Sequence, residues 1–201
     1  MIILGAGGHA REVYEILDKA GSEIYFYDDI TNNVPSTIFS VPVLCSESEA
    51  IEVLSKDNRV VIGIGSPKLR QLLAARFKTL RADITSVISS RAIVSENSCL
   101  IEEGVNIMHY SFISNNTRIG YGSVVNSRAN IHHDVQIGKF CEIGPSAILL
   151  GQAEVGDFTF IGAGAVILPG IKIGPHCIVG AGAVVTKHLN SNTIVKGVPA
   201  K

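Results

Sequence analysis

The chain has no tryptophan, only 6% aromatic residues, and four cysteines with no CxxC pair among them. Thiols this few and scattered offer neither a disulfide framework nor a paired-cysteine metal site. They suit a reducing compartment, and a cytoplasmic protein is expected. No excess of one charge exists: 17 Lys and Arg stand against 18 Asp and Glu, for a net charge of −1. Without a basic field nothing would hold a nucleic-acid backbone. No apolar run approaches the ~18 residues of a membrane span, so membrane insertion is not expected. The opening MIILGAGGHARE lacks a basic n-region and a cleavage site, so no signal peptide is expected. What remains is 201 residues, 46% hydrophobic and with 20 glycines. That is too apolar for disorder and long enough for a core in one or two domains.

The two halves differ in hydrophobic period. In residues 1–85, the apolar run Ile2–Leu4 leads into Gly5, Gly7 and Gly8, and Ala10, Val13, Ile16 and Leu17 then recur at helical spacing. Ile24–Tyr27 reads as a second strand ending in Asp28-Asp29. Ile51 and Leu54 fall in a helix begun by Ser46 or Ser48. Val60–Ile64 reads as a third strand, and Leu69, Leu72 and Leu73 as one face of the helix after it. Strand–helix alternation predicts an α/β domain with a small parallel sheet.

After about residue 86 a repeat takes over. Every sixth residue from Ile101 to Val185 is Ile, Leu or Val, and the residue two before each is uncharged and mostly small. Six residues are too few for a helix and a turn; they make one short strand and one corner. Gly120, Gly138, Gly156 and Gly174 recur at a spacing of eighteen, as do Gly144, Gly162 and Gly180. Three hexads therefore form one coil, and these glycines are expected to supply a positive φ at the corners. The reading is a triangular parallel β-helix of about five coils over residues 86–201, stacked in one dimension. The segment Leu189–Lys201 breaks the period and is expected to cap the stack.

The hexads, with Gly180-Ala-Gly-Ala-Val-Val-Thr-Lys187 and Gly197-Val-Pro-Ala-Lys201, resemble the hexapeptide-repeat acyltransferases. Gly5-Ala-Gly-Gly-His9, Asp28-Asp29 and Ile62-Gly-Ile-Gly-Ser-Pro67 narrow the resemblance. They look like the nucleotide-sugar domain of a subfamily that includes UDP-4-amino-sugar N-acetyltransferases of the bacillosamine pathway, perosamine N-acetyltransferases and sialic acid O-acetyltransferases. The resemblance implies a Rossmann-like nucleotide-sugar-binding domain over 1–85 and a left-handed β-helix binding acetyl-CoA over 86–201. It implies a homotrimer and direct acetyl transfer to the 4-amino group of a nucleotide-linked 4-amino-4,6-dideoxy sugar, with UDP favoured. A GDP-perosamine N-acetyltransferase or a sugar O-acetyltransferase are the alternatives within the fold. A NAD-dependent oxidoreductase is disfavoured, because the sheet is short and the glycine spacing lacks the dinucleotide fingerprint.

Six histidines compete for a role: His9, His109, His132, His133, His176 and His188. His133 lies two places after the inward Ile131, at a corner, with Asp134 beside it. A carboxylate next to an imidazole fixes its tautomer and favours proton uptake. By resemblance, His133 is the general base and Asp134 its partner. His109 stands 24 residues away, not a multiple of eighteen, and so belongs to another edge. No histidines stand at ligand spacing with a third donor in reach, so no metal site is expected. The resemblance further assigns Gly7, Gly8, His9, Asp28, Asp29 and Gly63 to the nucleotide-sugar, with His9 near the reacting amine. It assigns Glu142, Ala163 and Ala181 to acetyl-CoA. Close relatives carry a histidine at the position of Glu142, so here a backbone N–H can take over polarising the thioester carbonyl. Lys187, Lys196 and Lys201 are candidates to meet the CoA phosphates.

Overall fold

The computed structural model describes residues 1–17, 21 and 23–201. They form two compact units, Met1–Val87 and Ile88–Lys201.

The first unit runs β1 (Ile2–Leu4), α1 (Gly8–Ile16), β2 (Tyr25–Tyr27), β3 (Thr37–Ile38), β4 (Val41–Leu44), α2 (Glu47–Leu54), β5 (Arg59–Ile62), α3 (Pro67–Thr79) and β6 (Asp83–Ile84). The sheet order is β3-β4-β2-β1-β5-β6, parallel throughout except at the β3–β4 edge. β1 lies at the centre, and all three of its side chains are buried, as a strand covered on both faces requires. The order reverses at β1, so the segments leaving β1 and β5 diverge at the carboxyl edge of the sheet and open a crevice there. α2 begins in a capping box: Ser46 caps the Glu49 N–H, and Glu49 returns a bond to the Ser46 N–H. α3 starts on Pro67, whose missing N–H costs nothing there.

The buried face of α3 is not the expected one. Leu72 is 62% exposed, and Arg70, Leu73, Ala74 and Phe77 point inward instead. The cause is Arg70, whose guanidinium donates to the carbonyls of Ile64 (3.2 Å) and Gly65 (2.7 Å) and ties the helix to the segment after β5.

The second unit is a three-faced parallel β-helix. Three sheets of seven, six and five strands stack coil upon coil with a register of eighteen residues, Asn130 opposite Ile148 and Gln136 opposite Glu154. Almost every strand is two residues long: one side chain points out and the next, from Ile107 to Val185, points into a continuous aliphatic core. Each such burial is worth about 1.5–3 kcal/mol. The small residue two before the aliphatic is also buried. Where it is polar it donates to a carbonyl of the next coil, as Ser123 does to Gly138 (2.8 Å) and Thr159 to Gly174 (2.9 Å). Cys141 and Cys177 use the same position, with their thiols directed at the carbonyls of Gly156 and Asn190.

The corners correct the glycine expectation. Positive φ recurs every sixth residue from Ser98 to Gly182, and most holders are not glycine: Tyr110, Asn116, Arg128, Asp134, Phe140, Ser146, Gln152, Phe158 and His176 among them. The N–H of each such residue, from Tyr110 on, donates to the carbonyl nineteen residues earlier, as Asp134 does to Asn115, which offsets the ~1–2 kcal/mol of left-handed backbone. The glycines at eighteen-residue spacing do not take positive φ. A Cβ on Gly162 would stand 2.5 Å from the Ala181 nitrogen, so the next coil itself excludes a side chain there. At the corner after the third face, Phe140, Phe158 and His176 stack at centroid separations of 5.3 and 5.1 Å.

The last coil is two residues short: Leu189 pairs with Ile173, and Ile194–Val195 with Ile178–Val179. Gly197–Lys201 then folds back, with the Val184 N–H bonded to the Gly197 carbonyl and the Ala200 N–H to the Val184 carbonyl.

These two kinds of corner glycine should respond differently to substitution. Gly162→Ala should lower stability by about 1–3 kcal/mol through overpacking. Gly164 has φ +66° and open space around a would-be Cβ. Gly164→Asn should cost less than about 1 kcal/mol, because Asn tolerates this backbone. Equal losses in urea unfolding of the two variants would contradict the assignment.

Candidate active site

The site residues expected from the sequence fall in two sets, one in each unit. In the first unit, a cavity of about 310 Å³ opens at the carboxyl edge of the sheet and is lined by Gly7, Gly8, His9, Asp28, Asp29 and Gly63 among others. The glycines around it have different causes. Gly5 has φ +105°, and a Cβ on Gly63 would stand 2.9 Å from Ala10, so those two serve the backbone and the packing of α1. A Cβ on Gly7 or Gly8 would meet nothing within 4 Å, and neither has positive φ. Packing does not require glycine there. A bare helix start with its N–H groups toward a cavity is the arrangement that receives anionic oxygens.

His9 sits in the first turn of α1 with its side chain 13% exposed. Burial, with the Arg70 charge adding to it, lowers its pKa to about 4, so the ring is neutral at physiological pH. It can present hydrogen bonds to a ligand but no charge. Asp28 is engaged locally, accepting from the N–H groups of Ile30 and Thr31 and from the Thr31 hydroxyl. Burial alone would raise the Asp29 carboxyl. The 2.6 Å bond from Arg76, the neighbouring Tyr27 hydroxyl and the Arg76 charge together outweigh it and hold the group below its usual range. Arg76 also bonds Glu47 at 2.8 Å, so Asp29 is fixed at the cavity rim rather than free to swing.

In the second unit, His133 and Asp134 occupy the corner after the second face. His133 Nδ1 lies 2.8 Å from Asp134 Oδ2. A carboxylate can only accept, so Nδ1 carries the proton and Nε2 the lone pair. The backbone brings this about: with φ +62°, Asp134 turns its side chain beside the imidazole that precedes it. Asn116, one coil earlier, donates to the other oxygen, Asp134 Oδ1. The bonds from His133 and from Asn116 hold the Asp134 carboxyl below the usual carboxylate range. Asn116 escaped the linear reading; its signal was the period itself, since it stands eighteen residues before Asp134.

The other predicted residues lie elsewhere on the prism. Glu142 is half-buried on the first face. Ala163 and Ala181 are exposed one above the other at the corner after that face, each followed by a positive-φ glycine. A whole face separates that corner from His133. His109 is at the Ala163 corner too, bonded to Ser89, and His132 is half-buried with its N–H on the Leu149 carbonyl. Lys187, Lys196 and Lys201 are exposed. Among the described residues no group of three His, Cys, Asp or Glu side chains could hold a metal ion, and no helix is long and apolar enough to cross a membrane.

Residues 1–77 match the PglD N-terminal domain family, and residues 152–187 match the bacterial transferase hexapeptide family. No curated protein sequence matches the chain. Among solved structures, a histidine-to-alanine variant of GDP-perosamine N-acetyltransferase from Caulobacter crescentus, in complex with CoA and GDP-perosamine, is 33% identical. It aligns over 100% of this chain and 94% of its own, with a TM-score of 0.91. The acetyltransferase domain of PglB from Neisseria gonorrhoeae, in complex with acetyl coenzyme A, is 28% identical over 100% and 97% of the two chains, with a TM-score of 0.91. WeeI from Acinetobacter baumannii is 28% identical over the same shares, with a TM-score of 0.92.

The buried neutral His9 has a thermodynamic consequence. A histidine with a folded pKa near 4 and an unfolded value of 6.5 binds its proton first in the unfolded chain. Stability is therefore unaffected above about pH 6.5 and falls as pH drops from there toward 4, by up to about 3 kcal/mol. In His9→Asn this part of the acid-side loss should vanish. Parallel stability–pH curves for the two proteins would show that His9 is not held neutral.

Proposed function

Because the chain belongs to the hexapeptide-repeat transferases that carry a PglD N-terminal domain, we propose that it moves an acetyl group from acetyl-CoA to the 4-amino group of a nucleotide-linked 4-amino-4,6-dideoxy sugar. In this reading the first unit is a Rossmann-like nucleotide-sugar domain and the second a left-handed acetyl-CoA-binding β-helix. The observation that carries the chemistry is the His133–Asp134 pair, with Nδ1 occupied and Nε2 left as a base. The sugar amine attacks the thioester carbonyl, Nε2 takes the amine proton, and the CoA thiolate leaves and collects it. Gly7, Gly8 and neutral His9 receive the nucleotide-sugar, with Asp28 and Asp29 at the rim. Glu142, Ala163 and Ala181 contact acetyl-CoA.

The separation of the Ala163–Ala181 edge from the His133 corner supports an active site completed by a second copy. A homotrimer fits the three-faced prism and its exposed apolar Ile93 (65%) and Ile178 (44%). The compartment proposed is the cytoplasm, where acetyl-CoA and nucleotide-sugars are both at hand. UDP-linked sugar is the first candidate. A GDP-linked sugar is the second, favoured by the 33% identity to the GDP-perosamine enzyme.

His133→Ala should fold and lose kcat by ~10²–10⁴, read as CoA thiol release at saturating substrates. Asp134→Asn should lose less and show an altered pH–rate profile. Near-wild-type turnover of His133→Ala would sink the base assignment. Calorimetric titration with UDP- and GDP-linked amino sugars decides the nucleotide. A product acetyl group that hydrolyses in mild base would mean an ester and an O-acetyltransferase.

A further inference from the structure

His133 has neighbours on both adjacent coils, and the one above it is a glycine whose presence nothing in the fold requires. The residues on its rung along this edge are Asn115, His133, Gly151, Pro169 and Lys187. Gly151 does not take positive φ, so the backbone conformation does not demand glycine. The three atoms nearest to a Cβ there are not backbone of the next coil, as they are at Gly162. Such a Cβ would meet the imidazole: 2.5 Å from Cε1, 2.6 Å from Nε2 and 3.2 Å from Nδ1 of His133.

We propose that Gly151 is a positioning residue whose missing side chain is the seat of the His133 ring. This rests on the reading of His133 as the base. The ring leans along the stack over Gly151 while Asp134 holds its other side. With 54% of its side chain exposed, the ring has solvent to swing into when the seat is filled. The obstacle at Gly151 is thus a rotatable side chain, not backbone, and a methyl group there moves the ring rather than the coils. Movement of the ring breaks the 2.8 Å bond to Asp134 and carries Nε2 away from the amine. A displacement of about 1 Å at a reacting group is enough for a hundredfold loss of rate.

The test is a double-mutant cycle in the full chain. Gly151→Ala is expected to lower kcat about 10- to 100-fold with KM for both substrates within about threefold of wild type. Its melting temperature should stay within a few degrees of wild type. In a His133→Ala background the same substitution should change kcat no further. An unchanged kcat overturns the proposal. So does a loss that persists undiminished in the His133→Ala background, and so does a melting temperature lowered by more than about 10 °C. If His133→Ala itself keeps full kcat, the base assignment fails instead. The seat is then read separately from the His133 Cε1–H resonance by NMR: a chemical shift identical in Gly151→Ala and wild type overturns it, and a displaced one supports it.

Discussion

The second unit is organised by one spacing, the roughly 4.8 Å between hydrogen-bonded strands. Each coil bonds its neighbour through N–H and carbonyl groups eighteen or so residues apart, on the faces and at the corners alike. At that distance the next backbone lies directly over each turn. This decides which corner positions can carry a Cβ, which residues face the core, and where a side chain can reach one coil along. The left-handed corner residue follows from the same requirement, because its N–H must turn to meet the carbonyl nineteen residues back.

The candidate catalytic corner is this geometry put to chemical use. Asn116, Asp134, His133 and Gly151 come from three successive coils and are close only because the coils are in register. The left-handed position supplies Asp134 beside the ring, the coil before supplies a donor to its far oxygen, and the coil after supplies the vacancy the ring occupies. The cavity of the first unit is built on a different device, the reversal of strand order at β1, which leaves a helix start and two glycines open to ligand.

Much of this was written in the sequence, and the reason is repetition. A two-residue strand carries little propensity signal alone, but fifteen aliphatics at one spacing specify the coil and its inward face. The corner glycines show where such reading stops. Left-handed backbone and close approach select the same residue, and only the position of the next coil separates Gly162 from Gly164. The phase of α3 differs from the helical pattern for a related reason: buried Arg70 bonds through Nη1 to carbonyls that follow β5, a tertiary fact invisible in a helical wheel. The strands Thr37–Ile38 and Val41–Leu44 were too short, and Pro42 too disruptive, to stand out. Asn116 and Gly151 are unremarkable in linear order and stand out only when the sequence is written in rows of eighteen.

A stack of identical rungs has no intrinsic reason to stop, and its last rung presents unpaired N–H and carbonyl groups like the growing end of a fibril. The shortened final coil and the returning tail address that hazard. By losing two residues between Ile173 and Leu189, the chain falls out of the repeat on which another rung would template. By bonding the Val184 N–H and carbonyl, Gly197–Lys201 occupies edge groups that a second molecule would otherwise capture. The tail therefore acts as a chain terminator, keeping an architecture suited to open-ended addition from polymerising through its end.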